Sequence, residues 1–137
     1  MVHQTSNILA GEAWGRGQVI LSWEDVLNIG QRPGHNAVIH EMAHKLDMLN
    51  GDADGFPPLH RRMDRRAWWQ VFSREWDRLK EAQRNGAELP IDPYALESPA
   101  EFLAVASEQF FEEPATLRQH LPEVYRQLTQ FYRQHPL

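Results

Sequence analysis

Residues 40 to 44 read HEMAH, a pattern of residue types and spacing that suits metal-dependent hydrolysis. On an α-helix, His40 and His44 lie one turn apart on the same face, so both imidazoles can bind a single metal ion. Glu41 lies beside that ion without binding it and can serve as a general base. The pattern indicates a zinc site, and the alternative interpretation is that both histidines are ordinary surface or partly buried residues.

Asp47 falls on the same helical stripe as the two histidines. A carboxylate at this position can hydrogen-bond a histidine that binds the metal and so fix its orientation. We therefore expect Asp47 to support the site. The alternative is a solvent-exposed helix charge, which is common at this spacing.

A catalytic zinc site needs a third protein ligand and an open position. The residues after His44 lack the additional histidine of the metzincin arrangement, which is therefore excluded. Glu101, on a second helix packed across the first, is the favoured ligand, and Glu108, two turns further along the same face, is its rival. Ser98 and Glu101 also fit a capping box, in which Glu101 would only satisfy its own helix start. Further candidates are Glu97, Asp92 and the five remaining histidines.

The helix that carries the motif is predicted from Asn36, a good N-cap, to Leu49, with Asn50 and Gly51 ending it. Further helices are predicted at about 66–84, 99–111 and 122–134, with a short one after Ser22. Four large aromatic residues of the helix predicted at about 66–84 should build the core; they are Trp68, Trp69, Phe72 and Trp76. A small antiparallel sheet is expected from Ile8–Trp14 and Gln18–Leu21. Together these elements predict an α+β fold, predominantly helical, with a small N-terminal sheet.

The composition predicts one domain that spans residues 1–137. The chain has 137 residues, of which 42% are hydrophobic, with a formal net charge of −5 and no cysteine. A disulfide scaffold is excluded, and the acidic balance argues against a nucleic-acid-binding face. No apolar run is long enough for a membrane span, and no signal peptide is evident, so we expect a cytoplasmic protein.

Three segments carry a resemblance to a known family: HEMAHKLDMLNG, GEAWGRGQVILSW before it and PAEFLAVASEQFFEEP after it. They resemble the MtfA family of zinc peptidases, the Mlc titration factors, over about residues 9–137. The resemblance implies a gluzincin, similar in its catalytic core to anthrax lethal factor, with His40, His44 and Glu101 as zinc ligands. It also implies that Tyr94, seven residues before Glu101, stabilises the transition-state oxyanion.

The function implied by this resemblance is that of a zinc-dependent, aminopeptidase-like metallopeptidase acting on peptides or proteins. The alternative is a binding module that sequesters a glucose-responsive transcriptional repressor, with zinc mainly structural. We expect a peptide substrate to add as a strand to Gln18–Leu21. A calcium loop at Asn50 to Gly55 is a weaker alternative, because its twelfth position is Arg61 instead of glutamate.

Members of this family are usually longer at the N-terminus, so the chain is expected to be either a short member or a fragment. A sheet without its upstream strands would leave an edge or an apolar face uncovered. We therefore expect self-association or a partner there.

Overall fold

The computed structural model describes residues 36–137. These residues form α-helices α1 (Ala37–Asp47), α2 (Arg65–Arg84), α3 (Pro99–Glu112), α4 (Pro114–His120) and α5 (Pro122–Tyr132). There are two short 3₁₀ helices in this part of the chain. One follows α1 (Met48–Asn50), and the other precedes α3 (Pro93–Leu96). None of the helices in this part of the chain is both long and apolar enough to cross a membrane.

The α+β prediction is wrong for this part of the chain, because residues 36–137 contain helices and loops but no strand. That prediction rested on two short segments near the N-terminus, whereas apolar residues elsewhere recur with the helical period. The strands proposed at Ile8–Trp14 and Gln18–Leu21, and the helix after Ser22, lie outside the described residues.

Helices α1 and α3 begin where capping chemistry predicts. The Asn36 side chain accepts a hydrogen bond from the backbone N–H of Ile39, and Ser98 does the same for Glu101. Proline occupies the first turn of α3, α4 and α5, where its missing N–H costs little. The short helix α4 was not predicted from the sequence, because it offers only seven residues of periodic pattern.

Helix α3 is the centre of the core. Every residue from 102 to 110 is buried, and the helix packs against α1, α4 and α5. Both α1 and α3 present buried alanines, Ala43 and Ala104, and small side chains allow two helices to approach closely. The burial of α3 on all sides therefore fixes the elements around it.

The aromatic residues of α2 divide between core and surface. Trp68 and Phe72 are buried and their rings stack with centroids 4.4 Å apart. The prediction that Trp69 is a core residue is wrong, since 58% of it is exposed, and Trp76 is only partly buried. Trp69 lies about 100° around the helix from Trp68, outside the buried stripe, whereas Trp76 lies one turn after Phe72 at the edge of that stripe and packs against Phe102.

The loop after α1 is held against three helices through Gly55. Its N–H donates to the Asp47 carboxylate at 2.7 Å, and its carbonyl accepts from the Trp68 indole at 3.0 Å. Gly55 has a φ of +81°, and a Cβ atom there would lie 2.6 Å from the backbone carbonyl oxygen of Pro99. The loop therefore connects the end of α1, the start of α2 and the first turn of α3.

Gly55→Ala should lower the free energy of unfolding by about 3 kcal/mol. The left-handed backbone costs an alanine roughly 1–2 kcal/mol, and displacing Pro99 adds a packing cost of similar size. Gly86→Ala is the matched control, since Gly86 has a φ of +74° but no atom near the added Cβ. Urea unfolding should show that Gly86→Ala lowers the free energy of unfolding by only about 1 kcal/mol. Equal losses in the two variants would contradict the contact with Pro99.

Stability should also depend on the ionisation of Asp47. Burial raises the pKa of its carboxyl from 3.8 to about 6, against the lowering effect of hydrogen bonds from the backbone of Gly55 and Asp54. The folded chain thus holds a proton that the unfolded chain releases, so this contribution to stability is full below about pH 4 and is lost as the pH rises to 6.

Asp47→Asn removes this titration. The difference in unfolding free energy between wild type and Asp47→Asn should fall from pH 4 to pH 6 and stay level above it. Urea unfolding of both proteins at each pH measures that difference. A difference that rises over the same interval would show that the buried carboxyl is stabilised as the anion.

Candidate metal centre

Three potential metal ligands from α1 and α3 meet at one point. The Nε2 atoms of His40 and His44 lie 3.2 Å apart, and Oε1 of Glu101 lies 2.8 Å and 3.0 Å from them. The His44 side chain is 4% exposed, and those of His40 and Glu101 are 16% and 20% exposed. The three atoms therefore converge in a partly buried position that keeps access to solvent.

The spacing of the two imidazole nitrogens fits a zinc ion, and the Glu101 oxygen, 2.8 Å and 3.0 Å from them, lies closer than in a tetrahedral zinc site. Ligands bound at 2.0–2.1 Å to a tetrahedral zinc are about 3.3–3.4 Å apart, close to the distance between the two imidazole nitrogens. Two histidines and one glutamate are also a ligand set found in zinc hydrolases. Within residues 36–137, this is the group of histidine and acidic side chains that can hold a metal ion.

The Glu101 carboxylate points toward the histidines and does not close a capping box. Ser98 caps α3 through its own hydroxyl, and no hydrogen bond runs from the Ser98 N–H to the Glu101 side chain. Burial would raise the pKa of Glu101, but hydrogen bonds from His40 and His44 outweigh it and lower the pKa to about 2. Glu101 is therefore ionised at neutral pH, as a metal ligand must be.

Glu108, the rival ligand in the sequence, lies on the other side of His40. Its Oε2 is 2.5 Å from Nδ1 of His40, and its Oε1 accepts from the backbone N–H of Asn36 at 2.8 Å. A carboxylate in this position accepts the Nδ1 proton and leaves the lone pair of Nε2 for a metal. The position of Glu108 two turns after Glu101 marked it as a candidate in the sequence. The sequence did not show whether it binds the metal itself or accepts a hydrogen bond from a histidine that does.

His40 is thus held between two carboxylates. Burial lowers the pKa of its imidazole, but the hydrogen bonds to Glu101 and Glu108 raise the pKa by more, to about 10. The donor set is strongly attractive to positive charge, which is the electrostatic requirement for holding a divalent cation.

Asp47 forms no hydrogen bond with either imidazole. The sequence predicted a hydrogen bond to a ligating histidine, but the carboxylate of Asp47 is fully buried and accepts from Gly55 instead. Asp47 ends α1, and its side chain turns toward the following loop. The carboxylate that orients a histidine is Glu108, from another helix.

Tyr94 borders the cluster, and Glu41 follows His40 on α1, close enough for its charge to act on Tyr94. Tyr94 is 47% exposed, and its ring centroid lies 6.1 Å from that of His40. Partial burial raises the pKa of the Tyr94 phenol to about 12, and the negative charges of Glu101, Glu97 and Glu41 add to that effect. Tyr94 therefore keeps its proton at neutral pH and can donate a hydrogen bond.

The loop considered for calcium is closed by its own hydrogen bonds. The Asn50 side chain donates to the carbonyl of Phe56, and Asp54 accepts from the N–H of Phe56. The acidic side chains of this loop do not form a metal-sized cluster among the described residues.

Comparison with known proteins identifies the family. The sequence profile of the glucose-regulated metallo-peptidases M90 matches residues 1–133. The chain belongs to this family. It is 40% identical to Mlc titration factor A of Yersinia enterocolitica and 39% identical to that of Yersinia pestis, each over 140 aligned positions that cover all of this chain. An uncharacterized protein of Synechocystis is 38% identical over the same extent.

The chain spans about half the length of these relatives, 51% of the Synechocystis protein and 52% of the Yersinia proteins. The predicted resemblance to the Mlc titration factors is confirmed by this match. Membership in a metallopeptidase family agrees with a group of two histidines and one glutamate that can bind a metal.

Glu108→Gln should weaken zinc binding about 10- to 100-fold, the usual cost of removing the partner of a ligating histidine. The amide keeps the shape but loses the charge that holds His40 and the start of α1. Glu112→Gln, on the exposed part of the same helix, removes an equal charge and should bind zinc as wild type does. Competition with a chromophoric chelator measures the affinity. Equal affinities in the two variants would show that Glu108 does not support the site.

Proposed function

We propose that this chain carries the catalytic zinc site of a gluzincin-type metallopeptidase, with His40, His44 and Glu101 as the ligands. The convergence of these three side chains from two helices is the observation that carries the proposal. Membership in the M90 family supports it independently, because the family is one of metallopeptidases.

Zinc bound by this group would supply Lewis acidity, which polarises a substrate carbonyl and makes a neighbouring water molecule more acidic. Glu41 lies between His40 and His44 in the sequence of α1. We propose that it accepts a proton from that water as general base. Tyr94 is proposed to donate a hydrogen bond to the carbonyl oxygen as negative charge develops there, a role commonly worth about 3 kcal/mol. Its protonated phenol and its exposure at the rim of the site suit this role.

The substrate is proposed to be a peptide, cleaved in the manner of an aminopeptidase. A free α-amino group is positive at neutral pH, and Glu97, which is neither a proposed ligand nor the proposed base, is an exposed carboxylate whose charge acts on Tyr94 at the site. Paired peptide substrates with free and acetylated N-termini distinguish aminopeptidase from endopeptidase cleavage. Preference for the free amine supports an aminopeptidase, and equal turnover supports an endopeptidase.

Glu41→Gln should reduce turnover by roughly two to four orders of magnitude, because it removes the base and keeps the shape of the side chain. Zinc content and the helical circular dichroism should match those of wild type. Glu88→Gln, an exposed carboxylate away from the cluster, should retain full turnover. If Glu41→Gln hydrolyses peptides as fast as wild type, Glu41 is not the base.

A second function, binding of a transcriptional repressor, is favoured by the names of the relatives. The Yersinia proteins are called Mlc titration factor A. We propose that this chain binds a transcriptional repressor such as Mlc, and that this binding does not require peptidase activity. Binding of purified Mlc by Glu41→Gln, measured by calorimetry and equal to that of wild type, would support the separation of the two functions. Loss of binding only in this variant would contradict it.

A further inference from the structure

A cleft with aromatic walls lies between α2, the first turn of α3 and the Gly55 loop. Its volume is about 260 Å³, and its aromatic lining consists of Phe56, Trp68, Trp69, Phe72, Trp76 and Phe102. This is smaller than the roughly 300–1,000 Å³ of sites that enclose a drug-sized ligand. The cleft therefore has the size for a single side chain.

The cleft is separate from the candidate metal centre. None of the three metal-binding side chains lines it, although Phe102 follows Glu101 in α3. Glu101 turns toward α1, whereas Phe102 turns toward Phe72 of α2, with ring centroids 5.5 Å apart. The two sites therefore share the first turn of α3 and open on different sides of it.

The charged side chains that line the cleft are both acidic. Asp54 and Asp77 line it, and its lining contains no lysine, arginine or histidine. Asp54 accepts a hydrogen bond from its own loop, whereas Asp77 forms no hydrogen bond or ion pair with the described residues 36–137. Ser73 adds a hydroxyl to the lining. The polar groups of the cleft are thus suited to a cation.

The aromatic rings beside these carboxylates already bind cations of the chain itself. The Arg65 guanidinium lies 4.8 Å from the ring centroid of Phe56, and the Lys80 ammonium lies 5.2 Å from that of Trp76. Such distances are within the range of cation–π attraction, which is strongest for tryptophan. Neither cation is part of the lining of the cleft.

We infer that this cleft binds an arginine side chain presented by a peptide or protein partner. The planar guanidinium stacks on aromatic rings and forms hydrogen bonds with carboxylates, which are the two chemistries that the cleft provides. Trp69, a tryptophan that is largely exposed, supplies the outer wall. Binding of arginine in this cleft requires neither zinc nor peptidase activity.

The test uses the tripeptide Ac-Gly-Arg-Gly-NH₂ and its citrulline analogue, which has the same shape without the charge. The arginine peptide should shift the indole N–H resonances of Trp69 and Trp76 with a dissociation constant on the order of 1 mM. The citrulline peptide should bind at least about threefold more weakly, the effect of losing one exposed ion pair and a cation–π contact.

Two variants locate the binding. Asp77→Asn should weaken the arginine peptide about threefold and Trp69→Leu about fivefold, and both residues are exposed enough for the fold to persist. Glu88→Gln removes one exposed charge outside the cleft and should leave the dissociation constant unchanged. Equal binding of the two peptides, equal losses in Asp77→Asn and Glu88→Gln, or no shift up to about 20 mM peptide would each overturn the inference.

Discussion

The pairing of α1 with α3 depends on burying acidic side chains against histidine. Glu101 and Glu108 approach His40 from its two ring nitrogens, and the Glu108 side chain is only 4% exposed. A carboxylate taken out of water needs a charged or hydrogen-bonding partner, so these side chains fix which face of α1 meets α3. The interaction that sets the packing of the two helices is therefore the one that aligns the ligand atoms.

The loop between α1 and α2 provides the second constraint. Asp47 and Gly55 close it at one side, and the absence of a side chain at Gly55 lets it lie against Pro99. Because Pro99 opens the turn that contains Glu101, the loop sets where that turn stands relative to the histidines. It also forms one wall of the aromatic cleft, so both sites are built on the same turn.

The sequence predicted the parts of the site that local spacing determines. The HEMAH motif, its helix and the capping of that helix by Asn36 follow from periodicity and side-chain chemistry. The roles of Glu101 and Glu108 could only be ranked, because spacing on one helix does not show how a second helix is rotated against it. Asp47 was assigned to the wrong partner, since the path of the following loop is a tertiary feature. The exposure of Trp69 was missed because aromatic content alone does not identify the buried face of a helix.

We propose that His40, His44 and Glu101 together hold one zinc ion. The most direct measurement is the zinc content of wild type, His44→Ala and His120→Ala after zinc loading and dialysis, with circular dichroism to verify folding. His120 is exposed on α4 and lies outside the group, so its removal is a matched control. We expect about one zinc per chain in wild type and His120→Ala and almost none in His44→Ala. Wild type without zinc, or His44→Ala with as much zinc as wild type, would contradict it.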